Sequence, residues 1–320
     1  MLAEALATVY PESIFKDPKS WPRARRLDGL ALAMASDETG APAGAELTAS
    51  ALMNELALYR HEVLGAYAPA RPLYERALTI REKTLVPDHP LTAVSLHNLA
   101  RLLQAQGDLA TARPLCERAL AICEKSLGTD HPDTANNLNN LAIVLQNQGD
   151  LAAARPLFTR ALAIREKALG FDHLLTAASL HNLAHLLRDQ GDLAAARPLS
   201  ERALAICEKT LGPDHPDTAH NLNNLANVLQ AEGNLAGARP LHERALAIRE
   251  RTLGPDHPAT AASLHNLVCL FEDQGDFAAA RPLLERSLAI CEKALRPEHP
   301  DTLRVRNNLT SLPSDGRSCD

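Results

Sequence analysis

Aromatic side chains are scarce in this sequence. Phe, Trp and Tyr together make up 3% of its 320 residues, although hydrophobic residues reach 46%. The hydrophobic content is sufficient for a continuous core, and the shortage of rings means that this core must be built mainly from Leu, Ala and Ile. Length alone allows one or two globular domains, so the order of the residues has to decide the architecture.

Several features of nucleotide, nucleic-acid and membrane binding are missing. The sequence contains no GxxxxGK[ST] loop, which holds nucleotide phosphates in P-loop NTPases. No basic run is long enough to follow a phosphate backbone, and the formal net charge is −6, so nucleic acid is not expected as a partner. No apolar stretch reaches 18 residues, so no membrane span or membrane partner is expected.

The six cysteines form no CxxC pair, and all but Cys319 fall at predicted helical positions. A secreted disulfide framework, which is dense in cysteines, shows a different pattern. The sequence therefore favours a reducing compartment, and we expect a cytoplasmic protein.

A fixed 42-residue period runs through most of the chain. Shifting residues 134–174 by 42 in either direction gives near-copies of the same segment. The period keeps a turn histidine and a turn glycine in register, at His89, His131, His173, His215, His257 and His299 and at Gly107, Gly149, Gly191, Gly233 and Gly275. A repeat of this length indicates stacked supersecondary units rather than one closed core.

Each copy contains two predicted helices. In the first helix of one copy, apolar residues recur with a helical period at Leu138, Leu141, Ala142 and Leu145. We expect Gly149 to end this helix and Asp150 to cap the next. The buried side of that second helix is predicted at Ala154, Phe158, Ala161 and Leu162, and its end near Leu169–Gly170. First helices are predicted to start near Thr92, Thr134, Thr176, Thr218 and Thr260.

A proline lies about a turn and a half into every second helix. The positions are Pro72, Pro114, Pro156, Pro198, Pro240 and Pro282. An interior proline loses a backbone hydrogen bond and costs roughly 3 kcal/mol in an ordinary helix. We predict a continuous, slightly kinked helix, because Ala154 and Phe158 fit one buried stripe. The alternative is that the helix begins at Pro156, where a first-position proline is favourable.

These helix pairs resemble tetratricopeptide repeats, specifically the 42-residue repeats of kinesin light chains. The resemblance rests on the strings LNNLA, QGD, A-x-P-L, RALAI-x-EK-x-LG and PDHPDT, and on the small and large apolar residues given above. It implies an all-α fold, a right-handed solenoid of six antiparallel helix pairs, the first degenerate, with capping helices at both ends.

Domain boundaries follow from the period. We expect an N-terminal helical cap or linker over residues 1–50 and a solenoid over residues 51–312. The repeats are expected near residues 51–91, 92–133, 134–175, 176–217, 218–259 and 260–301, followed by a capping helix at 302–312 and a disordered tail at 313–320. The first helix of the first copy aligns only if one residue is inserted. Arg306 and Thr310 replace buried Leu and Ala of earlier copies, as a capping helix requires.

The resemblance also implies that first helices line a concave groove that holds an extended peptide. The groove positions form an Asn row, Asn98, Asn140, Asn182, Asn224 and Asn266, and a second row, His97, Asn139, His181, Asn223 and His265. Outer positions include Arg101, His185, Arg188 and Asn227. A carboxamide both donates and accepts, which suits a peptide backbone. The alternative is that each Asn bonds the next repeat and fixes the stacking, and both roles stay open.

Two alternations double the period to 84 residues. His alternates with Asn in the second row, and Cys123, Cys207 and Cys291 alternate with Arg81, Arg165 and Arg249. Duplication of a two-repeat unit explains this without function, whereas a groove of alternating chemistry is the functional explanation. His181, His185 and His220 lack a Cys or carboxylate partner at ligand spacing, so neither a metal nor another cofactor is expected.

The sequence therefore predicts a non-enzymatic scaffold that binds an extended peptide or a partner protein. No Ser/His/Asp, Cys/His or paired-carboxylate grouping stands out from the repeat, so no catalytic residue is expected. Two alternatives remain. Residues 1–50, especially DPKSWPRARRL, resemble the segment before the repeats in bacterial NB-ARC signalling NTPases, which implies a sensor or regulatory part of a split NTPase. RNA binding at one base per repeat is the other, and the net charge of −6 opposes it.

Overall fold

The computed structural model describes residues 46–63, 65–295, 298 and 300–313. The expected N-terminal cap lies almost entirely outside these residues, as do the NB-ARC-like segment and the tail after residue 313. Within the described residues every regular element is helical. The α-helices are α1 (Glu46–Leu58), α2 (Tyr67–Thr84), α3 (Pro90–Ala105), α4 (Leu109–Ser126), α5 (Pro132–Asn147), α6 (Leu151–Leu169), α7 (Leu174–Asp189), α8 (Leu193–Leu211), α9 (Pro216–Ala231), α10 (Leu235–Leu253), α11 (Pro258–Asp273), α12 (Phe277–Leu295) and α13 (Pro300–Ser311).

The helices pack as sequential antiparallel pairs within two compact units, residues 1–164 and 165–320. In unit 1, α1 packs on α2 and α3 on α4, and α3 and α5 each cover the second helix of the preceding pair. In unit 2, the pairs are α7–α8, α9–α10 and α11–α12, followed by α13 against α12. Each unit is thus a stack of tetratricopeptide-like pairs, as the period predicts. No described helix is both long and apolar enough to cross a membrane.

A π-helix, Tyr59–Val63, continues α1. The sequence aligns with later copies only when one residue is inserted at this first helix. A π-helical turn takes one residue more than an α-helical turn, so it absorbs the extra residue without breaking the helix. The structure therefore explains why the first copy is degenerate.

The turn histidines act as N-caps of the first helices. Nδ1 of His131 accepts a hydrogen bond from the Asp133 amide at 3.1 Å, and His215 repeats this contact with Asp217 at 3.1 Å. His89, His173 and His257 do the same with the residue two positions on. The helices consequently start at residue 90, 132, 174, 216 or 258, two residues before the predicted Thr. A proline follows the cap in most copies, and Leu174 replaces it without moving the helix start.

The second helices run continuously through their prolines, which confirms the continuous helix and excludes a helix start at Pro156. Pro156 is the sixth residue of α6, which begins at Leu151. Because proline has no N–H, the Ala152 carbonyl accepts no helical hydrogen bond from Pro156. Ala152 and Pro156 are both exposed. Water can bond a carbonyl at such a site, so the usual cost of an interior proline is reduced. At the turn before α6, Gly149 takes φ 83° and Asp150 accepts a bond from the Ala153 amide at 3.1 Å, both as predicted.

Small and large side chains alternate in the core. Ala142, Ala154 and Ala161 are completely buried beside Leu138 and Phe158. The alanines let neighbouring helices approach closely while the large residues fill the space between them. At the C-terminal end, α13 buries Val305, while Arg306 pairs with Glu292 at 2.7 Å and Thr310 is exposed.

The 84-residue alternation lies in the contacts between one pair and the next. Arg249 of α10 donates to Ser263 Oγ and to the Ala259 carbonyl of α11, both at 2.9 Å. Arg81 makes the equivalent bonds to Ser95 and Leu91, and Arg165 to Ser179 and Leu175. Burial lowers the pKa of Arg165 to about 10, so it stays protonated at pH 7.

In the copies between, a thiol and an amide replace this pair. Asn137 donates to Cys123 Sγ at 3.2 Å and Asn221 to Cys207 Sγ at 3.2 Å. A long guanidinium thus faces a short hydroxyl, and a short thiol faces a longer amide. Each combination fills a similar space, so the alternation is accounted for by packing.

An ion-pair ladder joins successive second helices. Arg118–Glu82 (2.5 Å) and Arg160–Glu124 (2.6 Å) lie in unit 1, and Arg202–Glu166 (2.5 Å), Arg244–Glu208 (2.7 Å) and Arg286–Glu250 (2.6 Å) lie in unit 2. These pairs are partly exposed, so each contributes little to stability, and salt screens them. We call this the ladder face.

Replacement of a turn histidine tests its role as a cap. We expect His131→Ala to lower the free energy of unfolding by about 0.5–2 kcal/mol, because the Asp133 amide loses its acceptor. His131→Asn should retain most of the stability, since Asn is a good N-cap. Urea denaturation followed by circular dichroism measures both. Equal loss in the two variants would contradict the capping role.

Exchange of one interface type for the other tests the packing explanation. Arg249→Cys should cost about 1–3 kcal/mol, because buried acceptors lose their donor, and Ser263→Asn should cost a similar amount through overpacking. The double variant reproduces the Cys207–Asn221 pair, so we expect it to be at least about 1 kcal/mol more stable than additivity gives. Additive losses would show that the two positions are not matched.

Candidate functional site

The first helices contact one another within each unit. In unit 1, α3 touches both α1 and α5, and in unit 2, α9 touches both α7 and α11. We call the exposed side of these helices the first-helix face. It carries the Asn row, whose five members are all half-buried.

The Asn row is not uniform, because alternate amides are engaged by histidines. Asn140 Nδ2 lies 2.6 Å from His97 Nδ1, and Asn224 Nδ2 lies 2.5 Å from His181 Nδ1. Within the described residues, no hydrogen bond engages the amides of the alternate members, Asn98, Asn182 and Asn266. The first set therefore ties one first helix to the next, while the second set keeps its hydrogen-bonding capacity at the surface.

Two predicted groove residues lie in the core instead. Asn139 is 4% exposed and donates to the Ala135 carbonyl of its own helix at 3.1 Å. Asn223 is 3% exposed, donates to Ser263 Oγ at 3.2 Å and lies 2.7 Å from His242 Nδ1. The prediction that these two amides line the groove is thus not met, because they serve contacts between helices.

The outer positions are polar and mostly paired. Arg101 forms an ion pair with Glu62 at 2.6 Å, an acid that the sequence did not single out. Arg188 pairs with Asp189 at 3.0 Å and donates toward His185 Nε2 at 2.9 Å. Asn227 is half-buried on α9, and His265 lies 3.7 Å from Cys269 Sγ on α11.

A cleft opens between successive first helices in each unit. Cleft 1, in unit 1, has a volume of about 230 Å³ and is lined by Val94, His97, Asn98, Asp133, Asn136 and Asn137 among others. Cleft 2, in unit 2, has a volume of about 270 Å³ and is lined by Ala178, His181, Asn182, Asp217, His220 and Asn221 among others. Each of these residues in cleft 2 lies 84 positions after its counterpart, so the two clefts are equivalent sites. Asn98 and Asn182 occupy the same place in them.

The cleft histidines are held neutral at pH 7. Burial, with a smaller contribution from Arg101, lowers the pKa of His97 to about 4. Burial and the neighbouring His220 lower the pKa of His181 to about 3. The ring centroids of His181 and His220 lie 4.8 Å apart. Among the described residues, no group of three or more His, Cys, Asp or Glu side chains is arranged to hold a metal ion.

Comparisons with known proteins agree with this architecture. A family described as tetratricopeptide repeat matches residues 47–113, 95–167, 175–234 and 217–293, well over half of the chain. A crystal structure from Podosopora anserina, described as a kinesin light chain with nearly identical TPR-like repeats, is 34% identical, with a TM-score of 0.55; the match covers 65% of this chain and 98% of that one. No curated protein sequence matches.

Two more distant structures share the fold. BtubC from P. vanneervenii is 20% identical, with a TM-score of 0.54, and the match covers 86% of this chain and 95% of that one. A Rap protein complexed with competence and sporulation factor is 16% identical, with a TM-score of 0.56, and the match covers 92% of this chain and 82% of that one.

The half-buried His97 predicts a pH dependence of stability. Its pKa is about 4 in the folded state and about 6.5 when unfolded, so the unfolded chain binds more protons between these values. Stability should therefore fall as the pH is lowered through this window. We expect His97→Gln to reduce the difference in unfolding free energy between pH 7 and pH 5 by roughly 1–2 kcal/mol. An unchanged difference would contradict this.

Proposed function

The chain belongs to the tetratricopeptide repeat family, and we propose that it is a protein-interaction scaffold whose first-helix face binds an extended segment of a partner protein. The repeat domain is a non-catalytic fold that typically binds proteins. We propose no catalytic residue. We propose a cytoplasmic location because the five described cysteines are free thiols, four of them buried.

The observation that carries this proposal is the division of the Asn row. Asn140 and Asn224 are engaged by His97 and His181. Asn98 and Asn182 instead line clefts 1 and 2, where their amides can form hydrogen bonds with a ligand. A carboxamide can donate to a peptide carbonyl and accept from a peptide amide. A side chain that does both at the wall of a cleft suits the main chain of an extended ligand.

The ladder face supports the same choice of binding surface. On the ladder face, Arg and Glu side chains pair with one another between successive second helices. A ligand there would have to replace existing ion pairs, while the clefts of the first-helix face are open. The Rap protein complexed with competence and sporulation factor shows that a protein of this fold can hold a bound factor, and its 16% identity supports no closer parallel.

Two matched double variants test the division. A peptide selected from a random 12-residue library on the wild-type chain serves as the probe. We expect Asn98→Ala/Asn182→Ala to weaken its binding roughly 3- to 30-fold, since each lost hydrogen bond contributes about 0.5–1.5 kcal/mol, with little change in stability. Asn140→Ala/Asn224→Ala should instead lower the free energy of unfolding by about 1–3 kcal/mol, because the half-buried His97 and His181 lose their hydrogen-bond partners.

Calorimetry and urea denaturation on the wild type and the two double variants separate the two effects. If Asn98→Ala/Asn182→Ala binds the selected peptide as tightly as the wild type, the first-helix face is not the binding surface. If the library yields no binding peptide, the proposed function is wrong for peptide ligands of this length.

A further inference from the structure

Each cleft carries one exposed carboxylate that is not paired with a Lys or Arg among the described residues, although Asp133 Oδ1 accepts a hydrogen bond from Asn136 Nδ2 at 3.2 Å. Asp133 lines cleft 1 and Asp217 lines cleft 2, and neither cleft is lined by a Lys or Arg among the described residues. The nearest ionisable contacts are the capping histidines, with His131 Nδ1 3.7 Å from Asp133 and His215 Nδ1 3.8 Å from Asp217. Within the part of the chain that the structure describes, no Lys or Arg forms a salt bridge with either aspartate.

Other charges nearby are compensated. On the first-helix face, Arg101 is paired with Glu62 and Arg188 with Asp189. On the ladder face, the glutamates are paired with arginines. The two cleft aspartates therefore leave a net negative charge at each cleft, in a chain whose overall charge is −6.

The remaining lining suits a long side chain with a cationic end. In cleft 1, Ala93 and Val94 offer an apolar wall for an aliphatic stem, and in cleft 2 Ala177 and Ala178 do the same. The carboxamide oxygens of Asn98 and Asn182 can accept additional N–H donors. Lys and Arg bury their stems along apolar surface while the charged head seeks acceptors.

We propose that each cleft takes a lysine or arginine side chain of the bound segment, with Asp133 or Asp217 as its counter-ion. This rests on the proposed function, because it assigns the chemistry of the ligand that the first-helix face binds. The partner is thus a basic segment. The net charge of −6 attracts it over longer distances at low ionic strength.

Library selection with charge-neutralised variants tests this. Random 12-residue peptides are selected on the wild-type chain, and the best binder is measured against Asp133→Asn/Asp217→Asn. Glu117→Gln/Glu201→Gln is the matched control, because it removes the same charge from two exposed acids of second helices. We expect selected peptides to be enriched in Lys and Arg, and the aspartate variant to bind roughly 3- to 30-fold more weakly while the control binds normally.

A paired change in the peptide completes the test. Replacing its Lys by norleucine, or its Arg by citrulline, should weaken wild-type binding by a similar factor and have little further effect on the aspartate variant. Enrichment of Asp and Glu, or equal binding by the aspartate variant and the wild type, overturns the inference. If binding depends on Asn98 and Asn182 but not on the aspartates, only this inference fails. If no peptide is selected, or if binding does not depend on Asn98 and Asn182, both this inference and the proposed function are wrong.

Discussion

The structure depends on the contact between the second helix of one pair and the first helix of the next. A single pair cannot bury both of its apolar faces, so stability has to come from neighbours. The chain meets this need with alanines that allow close approach and with a buried polar contact that recurs between the pairs. That contact is Arg–Ser in some interfaces, as in Arg249–Ser263, and Asn–Cys in others, as in Asn221–Cys207. Because these contacts are buried, they fix the register of the stack.

The candidate site is a consequence of the same stacking. Bringing first helices into contact places consecutive Asn residues beside the histidine row. Alternate amides of the Asn row, those of Asn140 and Asn224, are then bonded to histidines within the fold. The amides of Asn98 and Asn182 remain available at the clefts. The proposed binding surface therefore recurs every second pair, once in each unit, from a contact pattern that also holds the helices together.

Much of this architecture could be predicted from the sequence. The 42-residue period, the turn glycines and the helical spacing of Leu138, Leu141 and Leu145 define the pairs, and Ala154 and Phe158 correctly indicated a helix that continues through Pro156. First helices start two residues before the Thr near which the period predicts them, because a histidine rather than a Ser, Thr, Asp or Asn provides the cap. The extra residue of the first copy can be found from the sequence alignment of the repeats, but the π-helical turn that accommodates it cannot.

The candidate site was harder to predict. Asn139 and Asn140 are adjacent, and the helical period alone does not decide which of two neighbours faces the core. Only the packing against the following pair shows that Asn139 and Asn223 are buried while Asn140 and Asn224 reach the histidines. Asp133 and Asp217 lie in the first turn of their helices, and their position in a cleft depends on the neighbouring pair, which the repeat pattern alone does not show.

Hydrogen exchange measured with and without a bound peptide tests the central claim most directly. If the first-helix face is the binding surface, protection on adding the selected peptide should map to α3 and α5, or to α7 and α9, around residues 94–98 and 178–182. The exposed side of α4, α8 and α10 should exchange as before. Protection centred on those second helices, with none around the clefts, would contradict the account.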